Sequence, residues 1–313
     1  MTTMTTPTPP DDVTAVPGAS GDVSGVSGGS DGTVPTTRRA ARAARSHGRA
    51  GRNLPAAVAS GLGLGAIVIA SLFVRKEAFV VVVAAAVCAV LWELAQALSH
   101  RGLTVPLVPV VVGAVGMLVA AFSAGGQALA VCFVLTAVGV VVWRASEGPH
   151  GALKDVAAGL FVSAYAPLLA GFAMLMLAAD DGPRRVLTYV VVTVCSDIGG
   201  YAAGVLFGRH PMARSVSPKK SWEGFAGSAV ACLVGGALMV GLLLDGPWWG
   251  GALVGIAVVL AATLGDLGES MVKRDLGIKD MGSLLPGHGG VADRLDSLLV
   301  AAPVAWLLLH LLA

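Results

Sequence analysis

GDLGESMVKRDLGIKDMGSLLPGHGGVADRLD, residues 265–296, is unlike the rest of this chain. The whole sequence is 55% hydrophobic and only 13% charged. Yet this run holds Asp266, Glu269, Asp275, Asp280, Asp293 and Asp296 of the 19 acids, and Lys273, Arg274, Lys279 and Arg294 of the 21 bases. Long apolar segments flank it on both sides. Charges gathered between two apolar helices are tolerable only with water, a metal or a charged ligand. The run is therefore the expected active site, and the chain around it a membrane-embedded bundle.

Its spacing carries chemistry. Asp266, Glu269, Ser270 and Lys273 stand at i, i+3, i+4 and i+7, which puts all four on one helix face. Asp293 and Asp296 are i, i+3 neighbours at the start of the last helix. Between them, residues 286–290 (PGHGG) cannot continue a helix, and Gly289 and Gly290 let backbone N–H groups come close to an anion. Carboxylates for a hard cation, bases for phosphate and a glycine-rich turn between them point to metal-assisted phosphoryl chemistry. The competing reading is a solvated loop whose charges merely pair with one another.

Outward from this run, a mean hydropathy of +0.79 over 313 residues describes a polytopic membrane protein. The expected fold is all-α, with about nine transmembrane helices at roughly 54–74, 77–98, 103–122, 125–143, 152–178, 183–207, 223–244, 248–272 and 295–312. The third and fourth are separated by little more than Ser123-Ala-Gly-Gly126, as in a tight hairpin. Trp92, Trp143, Trp222, Trp248 and Trp249 lie near proposed ends, as interfacial tryptophans should; Trp306 does not. Cys88, Cys132, Cys195 and Cys232 all fall in apolar segments without a CxxC pair, so they read as small buried hydrophobes.

Residues 1–52 form the expected N-terminal tail, and 53–313 the membrane domain. The first part of the tail has almost no large apolar residues and is expected to be disordered. No secretory leader is expected, because no apolar core follows Met1. Arg38, Arg39, Arg42, Arg45, Arg49 and Arg52 precede the first span directly, which favours a topogenic or anionic-lipid-facing role over nucleic-acid binding. With the N-terminus inside, only Arg75, Lys76, Arg184 and Arg185 of the 21 lysines and arginines fall outside. That bias places both long polar loops in the cytoplasm, with the protein in the cytoplasmic membrane.

A second polar constellation lies in and after the sixth span: CSDIGGYAAGVLFG, residues 195–208, then SPKKSWEG, residues 217–224. Asp197 falls deep in the span and calls for a hydrated cavity or a partner. Gly200, Gly204 and Gly208 recur every four residues, giving a stripe for close helix contact. With Asp197 and Tyr201 beside it, the stripe reads as a cavity wall. Ser217, Lys219 and Lys220 suit a nucleotide triphosphate, although a bare Lys-Lys also fits an ordinary cytoplasmic loop. Glu93, in the second span, either faces a cavity or pairs near the cytosolic edge. There is no Walker A pattern and no plausible catalytic triad.

The pattern Ser270-x2-Lys273-Arg274-x4-Lys279-Asp280-x5-Pro286-x-His288-Gly289-Gly290-x2-Asp293-Arg294-x-Asp296 closely resembles the signature of the phosphatidate cytidylyltransferases, or CDP-diacylglycerol synthases. The segment from Asp197 to Gly224 is similar to the same family's nucleotide side, except that Ile198-Gly199-Gly200 stands where Thr-x-Ala is expected. The resemblance covers about residues 190–300. It implies a Mg²⁺-dependent enzyme of phospholipid biosynthesis, with two metal positions, that joins CTP to phosphatidic acid. Asp266 and Asp293 would be the leading metal ligands, completed by Asp296 and Glu269. Lys219, Lys220, Lys273, Arg274 and Arg294 would neutralise phosphates. Asp197, Tyr201, Ser217, Ser270, Lys279, Gly289 and Gly290 would line the substrates, and His288 would position phosphate or loop. The implied partners are CTP, phosphatidic acid and membrane lipids, with no nucleic acid; a homodimer is left open. The alternatives are another CTP-using lipid enzyme of the polyprenol kinase type and a cation-coupled transporter. The transporter predicts carboxylates spread across the midplane, whereas here most cluster at one edge.

Overall fold

The computed structural model describes residues 54–282, 284 and 289–312, with side chains for residue 63 and from 65 onward. The expected tail, residues 1–52, lies outside them. Helices α1 (Leu54–Val74) and α2 (Lys76–Ser99) are followed by the 40-residue α3 (Leu107–Ser146). Next come α4 (Ala152–Ser163), a π turn (Ala164–Leu168) and α5 (Leu169–Ala178), which together make one span. Then come α6 (Gly182–Phe207), strands β1 (Pro211–Ala213) and β2 (Ser217–Ser221), α7 (Trp222–Leu243), α8 (Trp248–Leu276) and α9 (Ala292–Leu312).

Among the described residues, seven helical segments are long and apolar enough to cross a membrane, against an expectation of about nine. The difference lies at two places. In α1 only Gly65–Val74 contributes, as a shorter apolar helix. The expected third and fourth spans are joined in α3, which is broken at Gly125, where φ is 81° and ψ is −170°. A Cβ on Gly113 would run into the Thr136 side chain, and one on Gly139 would lie 3.5 Å from Pro109. Residues so far apart along a straight helix could not meet. The two halves of α3 fold back on each other as the expected hairpin, without a loop between them.

Local sequence accounts for the element ends. Ser221 caps α7 by accepting from the Gly224 N–H at 3.1 Å, with Glu223 in the first turn. Helix α8 ends at Gly277 in the left-handed region, whose N–H donates to the carbonyls of Lys273 and Arg274. Pro167, which has no N–H to donate, sits inside the π turn that widens the fifth span. Between α6 and α7, the polar loop forms a short antiparallel hairpin, Pro211 opposite Ser221 and Ala213 opposite Ser217. The sequence reading contained no strand there.

Helices α6, α7, α8 and α9 pack successively against one another and form the half of the bundle that carries the charges. Small residues set how close they come: a Cβ on Gly199 of α6 would stand 2.7 Å from the Gly227 carbonyl of α7. Trp306, the tryptophan out of place at an interface, packs edge-on against Phe172 within the bundle. At the end of the bundle away from residues 265–296, Lys76 donates to the Ala179 carbonyl and Arg185 to that of Leu309. The bases assigned outside thus share one end. At the other end, Arg144 and Asp155 form a buried pair at 2.8 Å, and Asp155 also accepts from the Thr104 N–H at 2.7 Å. That pair ties the α2–α3 and α3–α4 turns beneath the polar loops.

Candidate active site

The two polar constellations meet in space. Lys220, on β2, places Nζ 2.5 Å from Asp266 Oδ2 on α8. Arg274 Nε donates to the Val216 carbonyl, in the turn of the β-hairpin, at 3.2 Å. Around the Lys220–Asp266 pair opens a cavity of about 280 Å³, whose lining includes Asp197, Gly200, Tyr201, Gly204, Lys219, Ser228 and Ser297. Gly200 and Gly204 lie on the α6 side of it, where a Cβ on Gly200 would run into the Ser228 hydroxyl. Ser228 reaches across to the Ser196 carbonyl at 2.6 Å and holds α7 to α6 at the cavity floor.

Beside the cavity, Lys273 Nζ lies 3.2 Å from Glu269 Oε1 and 2.9 Å from Asp293 Oδ1, linking α8 to α9. The i, i+4 spacing of Glu269 and Lys273 puts both on the face turned to α9. Asp293 also accepts from the N–H of Met281 at 3.1 Å and of Gly290 at 2.9 Å. The anion that the glycine-rich turn approaches is thus one of the protein's own carboxylates. Gly290 admits no side chain here: a Cβ would stand 2.9 Å from Asp293 Oδ2 and 2.7 Å from Glu93 Oε2. Gly289 has φ of 83°, a conformation glycine adopts without strain.

Glu269 is 2% exposed, and among the described residues neither of its carboxylate oxygens has a hydrogen-bond donor. Lys273 attracts it by charge, without the angle of a hydrogen bond. Asp296, also buried, acts on it electrostatically. Among the described residues, no three of His, Cys, Asp and Glu converge tightly enough to form a ready-made metal cluster. The donor chemistry nonetheless fits a hard cation: oxygen ligands only, and a buried carboxylate with no donor among the described residues. Lysines now balance that charge.

Of the other expected residues, Arg294 acts electrostatically on Asp197. Ser270 and Ser217 are half-buried, while Lys279 is exposed on the turn after α8. His288 lies outside the described residues. One residue was not anticipated: Tyr165, on the π turn, has a buried hydroxyl with no partner among the described residues and feels Glu269, Asp296, Asp266 and Asp293. A tyrosine beside a proline in an otherwise apolar span was the available signal, and π turns recur at functional sites.

The model of the Cytidylyltransferase family matches residues 55–312. The chain belongs to the cytidylyltransferase family. A relative from Mycobacterium leprae (strain TN), named phosphatidate cytidylyltransferase, is 42% identical over 288 residues, covering 84% of this chain and 90% of the relative. A protein of the same name from Mycobacterium bovis (strain ATCC BAA-935 / AF2122/97) is 39% identical over 277 residues, again 84% of this chain and 90% of its own. Another, from Brucella suis biovar 1 (strain 1330), is 37% identical over 171 residues, 54% of this chain and 59% of the relative. As a cytidylyltransferase-family member the chain is a nucleotidyltransferase, and its seven apolar helical segments make it an integral membrane protein.

Proposed function

We propose that this enzyme transfers the cytidylyl group of CTP to phosphatidic acid, releasing pyrophosphate and forming CDP-diacylglycerol. The observation that carries this reading is the Lys220–Asp266 contact. It joins a base-rich hairpin suited to a triphosphate with an acidic helix pair suited to a cation, across one cavity at the edge of a membrane bundle. A phosphate oxygen of the lipid attacks the α-phosphorus of CTP; the new O–P bond forms as the bond to the bridging oxygen breaks, and pyrophosphate leaves with the electron pair. A phosphate nucleophile is already ionised near neutral pH, so no strong general base is needed.

Both substrates are anionic, and bringing them together requires positive charge in place beforehand. Lys219 and Lys220 from β2, Arg274 and Lys273 from α8 and Arg294 from α9 supply it. Asp266, Glu269, Asp293 and Asp296 would hold Mg²⁺, in two positions. When bound, Mg²⁺ neutralises phosphate charge and orients the triphosphate. The placement of most lysines and arginines at the site's end of the bundle supports a cytoplasmic site, where CTP is made.

The test is purified protein with phosphatidic acid and CTP labelled at either the α- or the γ-phosphate. Label from the α position in the lipid product is expected. Label from the γ position would instead show a kinase, and no labelled lipid with phosphatidic acid would overturn the substrate assignment.

A further inference from the structure

The geometry points to Glu93, on α2, as a positioning residue of the transfer site, one that holds Leu284 and the start of α9 and with them the place of Asp293 against Lys273. This rests on the reading of Asp293 as part of the cytidylyl-transfer site. Glu93 lies far from the charged run in sequence and is only 2% exposed. Its Oε2 accepts from the Ala292 N–H at 2.8 Å, 199 residues away, and its Oε1 from the Leu284 N–H at 3.4 Å. No lysine, arginine or histidine among the described residues forms an ion pair with it. A buried carboxyl without a basic partner needs other donors, and here they are backbone amides, including the first N–H of α9, where the helix dipole also favours negative charge.

Glu93 and Asp293 share one loop between them. Met281 and Gly290 donate to Asp293, while Leu284 and Ala292 donate to Glu93, so among the described residues the two carboxylates share the amides on either side of α9's start. They also close on Gly290 from two sides, and a Cβ on Gly282 would overlap the Glu93 carboxyl. Release of Ala292 and Leu284 would free the start of α9 and let the Asp293 side chain swing away from Lys273. Asp293 would be one of the carboxylates that hold Mg²⁺ in the proposed mechanism; Glu93 acts through it.

Glu93→Ala and Glu93→Gln in the full chain test this, with amide hydrogen exchange and steady-state kinetics read on the same protein. Glu93→Ala is expected to remove exchange protection in the peptide spanning 278–292, leaving α6 and α7 as protected as in wild type. Its kcat should fall roughly a hundredfold, the scale of a catalytic group misplaced by about an ångström, with KM for CTP little changed. Glu93→Gln keeps one acceptor oxygen and should fall between. Unchanged protection in 278–292, or protection lost across the whole bundle, would overturn the inference. So would wild-type kcat in both variants. If wild-type protein made no CDP-lipid, the functional reading would fall while the exchange result still decided whether Glu93 holds the loop.

Discussion

At the residue scale, the site is built from acids that each already have a basic or backbone partner. Asp293 accepts from Lys273, Met281 and Gly290, so an amide in its place would turn an NH₂ group toward at least one of those donors. Asp266 has Lys220 at 2.5 Å and borders the cavity. Asp275 is exposed, and its carbonyl accepts from Arg101. Asp266→Asn and Asp293→Asn are each expected to lower CTP-dependent product formation by at least about a hundredfold, since each 1.36 kcal/mol of lost transition-state stabilisation is tenfold in rate. Asp275→Asn should stay within a few-fold of wild type. The assay is turnover at saturating Mg²⁺ with insertion and folding checked, and the reverse rank order would sink the site. Periodicity alone had put Asp266, Glu269, Ser270 and Lys273 on one face, and the structure agrees for the three charged members. What spacing could not show is that Lys273 bridges Glu269 to Asp293, because that contact needs α9 laid against α8.

At the element scale, Gly125 decides whether Leu107–Ser146 crosses once or turns back. Its φ of 81° with ψ of −170° lies in a region open essentially to glycine alone, and a Cβ there meets no atom within 4 Å. Any loss in Gly125→Ala is therefore backbone strain, with no clash. The expected cost is about 1–3 kcal/mol, read as a lower unfolding temperature in detergent. A variant as stable as wild type would mean the break at Gly125 is not under that constraint. Here the sequence was readable, since Ser123-Ala-Gly-Gly126 had few residues to spare for a loop. The β-hairpin at 211–221 was not: its strands are short and Pro-bearing, three residues of Pro-Met-Ala and a polar Ser-Pro-Lys-Lys-Ser, without the alternation that marks a half-buried strand.

At the scale of the whole molecule, the charges sort to the two ends of the bundle. Lys76 and Arg185 are tied to backbone at one end, while Lys220, Lys273 and Arg274 gather at the other. In a background without its cysteines, Ser217→Cys is expected to react with a membrane-impermeant thiol reagent only from the cytoplasmic side. Asp180→Cys, beside the Lys76 contact, should react only from outside. Labelling of Ser217→Cys from outside intact cells would place the hairpin away from CTP and overturn the orientation.

The amino-acid sequence by itself determined the class of the fold, the position of most apolar segments, the sorting of charge and the identity of the two polar constellations. These follow from hydropathy, helical period and local residue chemistry, all of which act between near neighbours in the chain. Only the tertiary structure decided that the constellations share one cavity, that Lys220 faces Asp266, and that Glu93 and Tyr165 belong to the surroundings of the acids. The reason is physical: a buried carboxyl takes whatever donors helix packing brings to it. Ala292 reaches Glu93 across 199 residues through the way α2 meets α9, which no local pattern encodes.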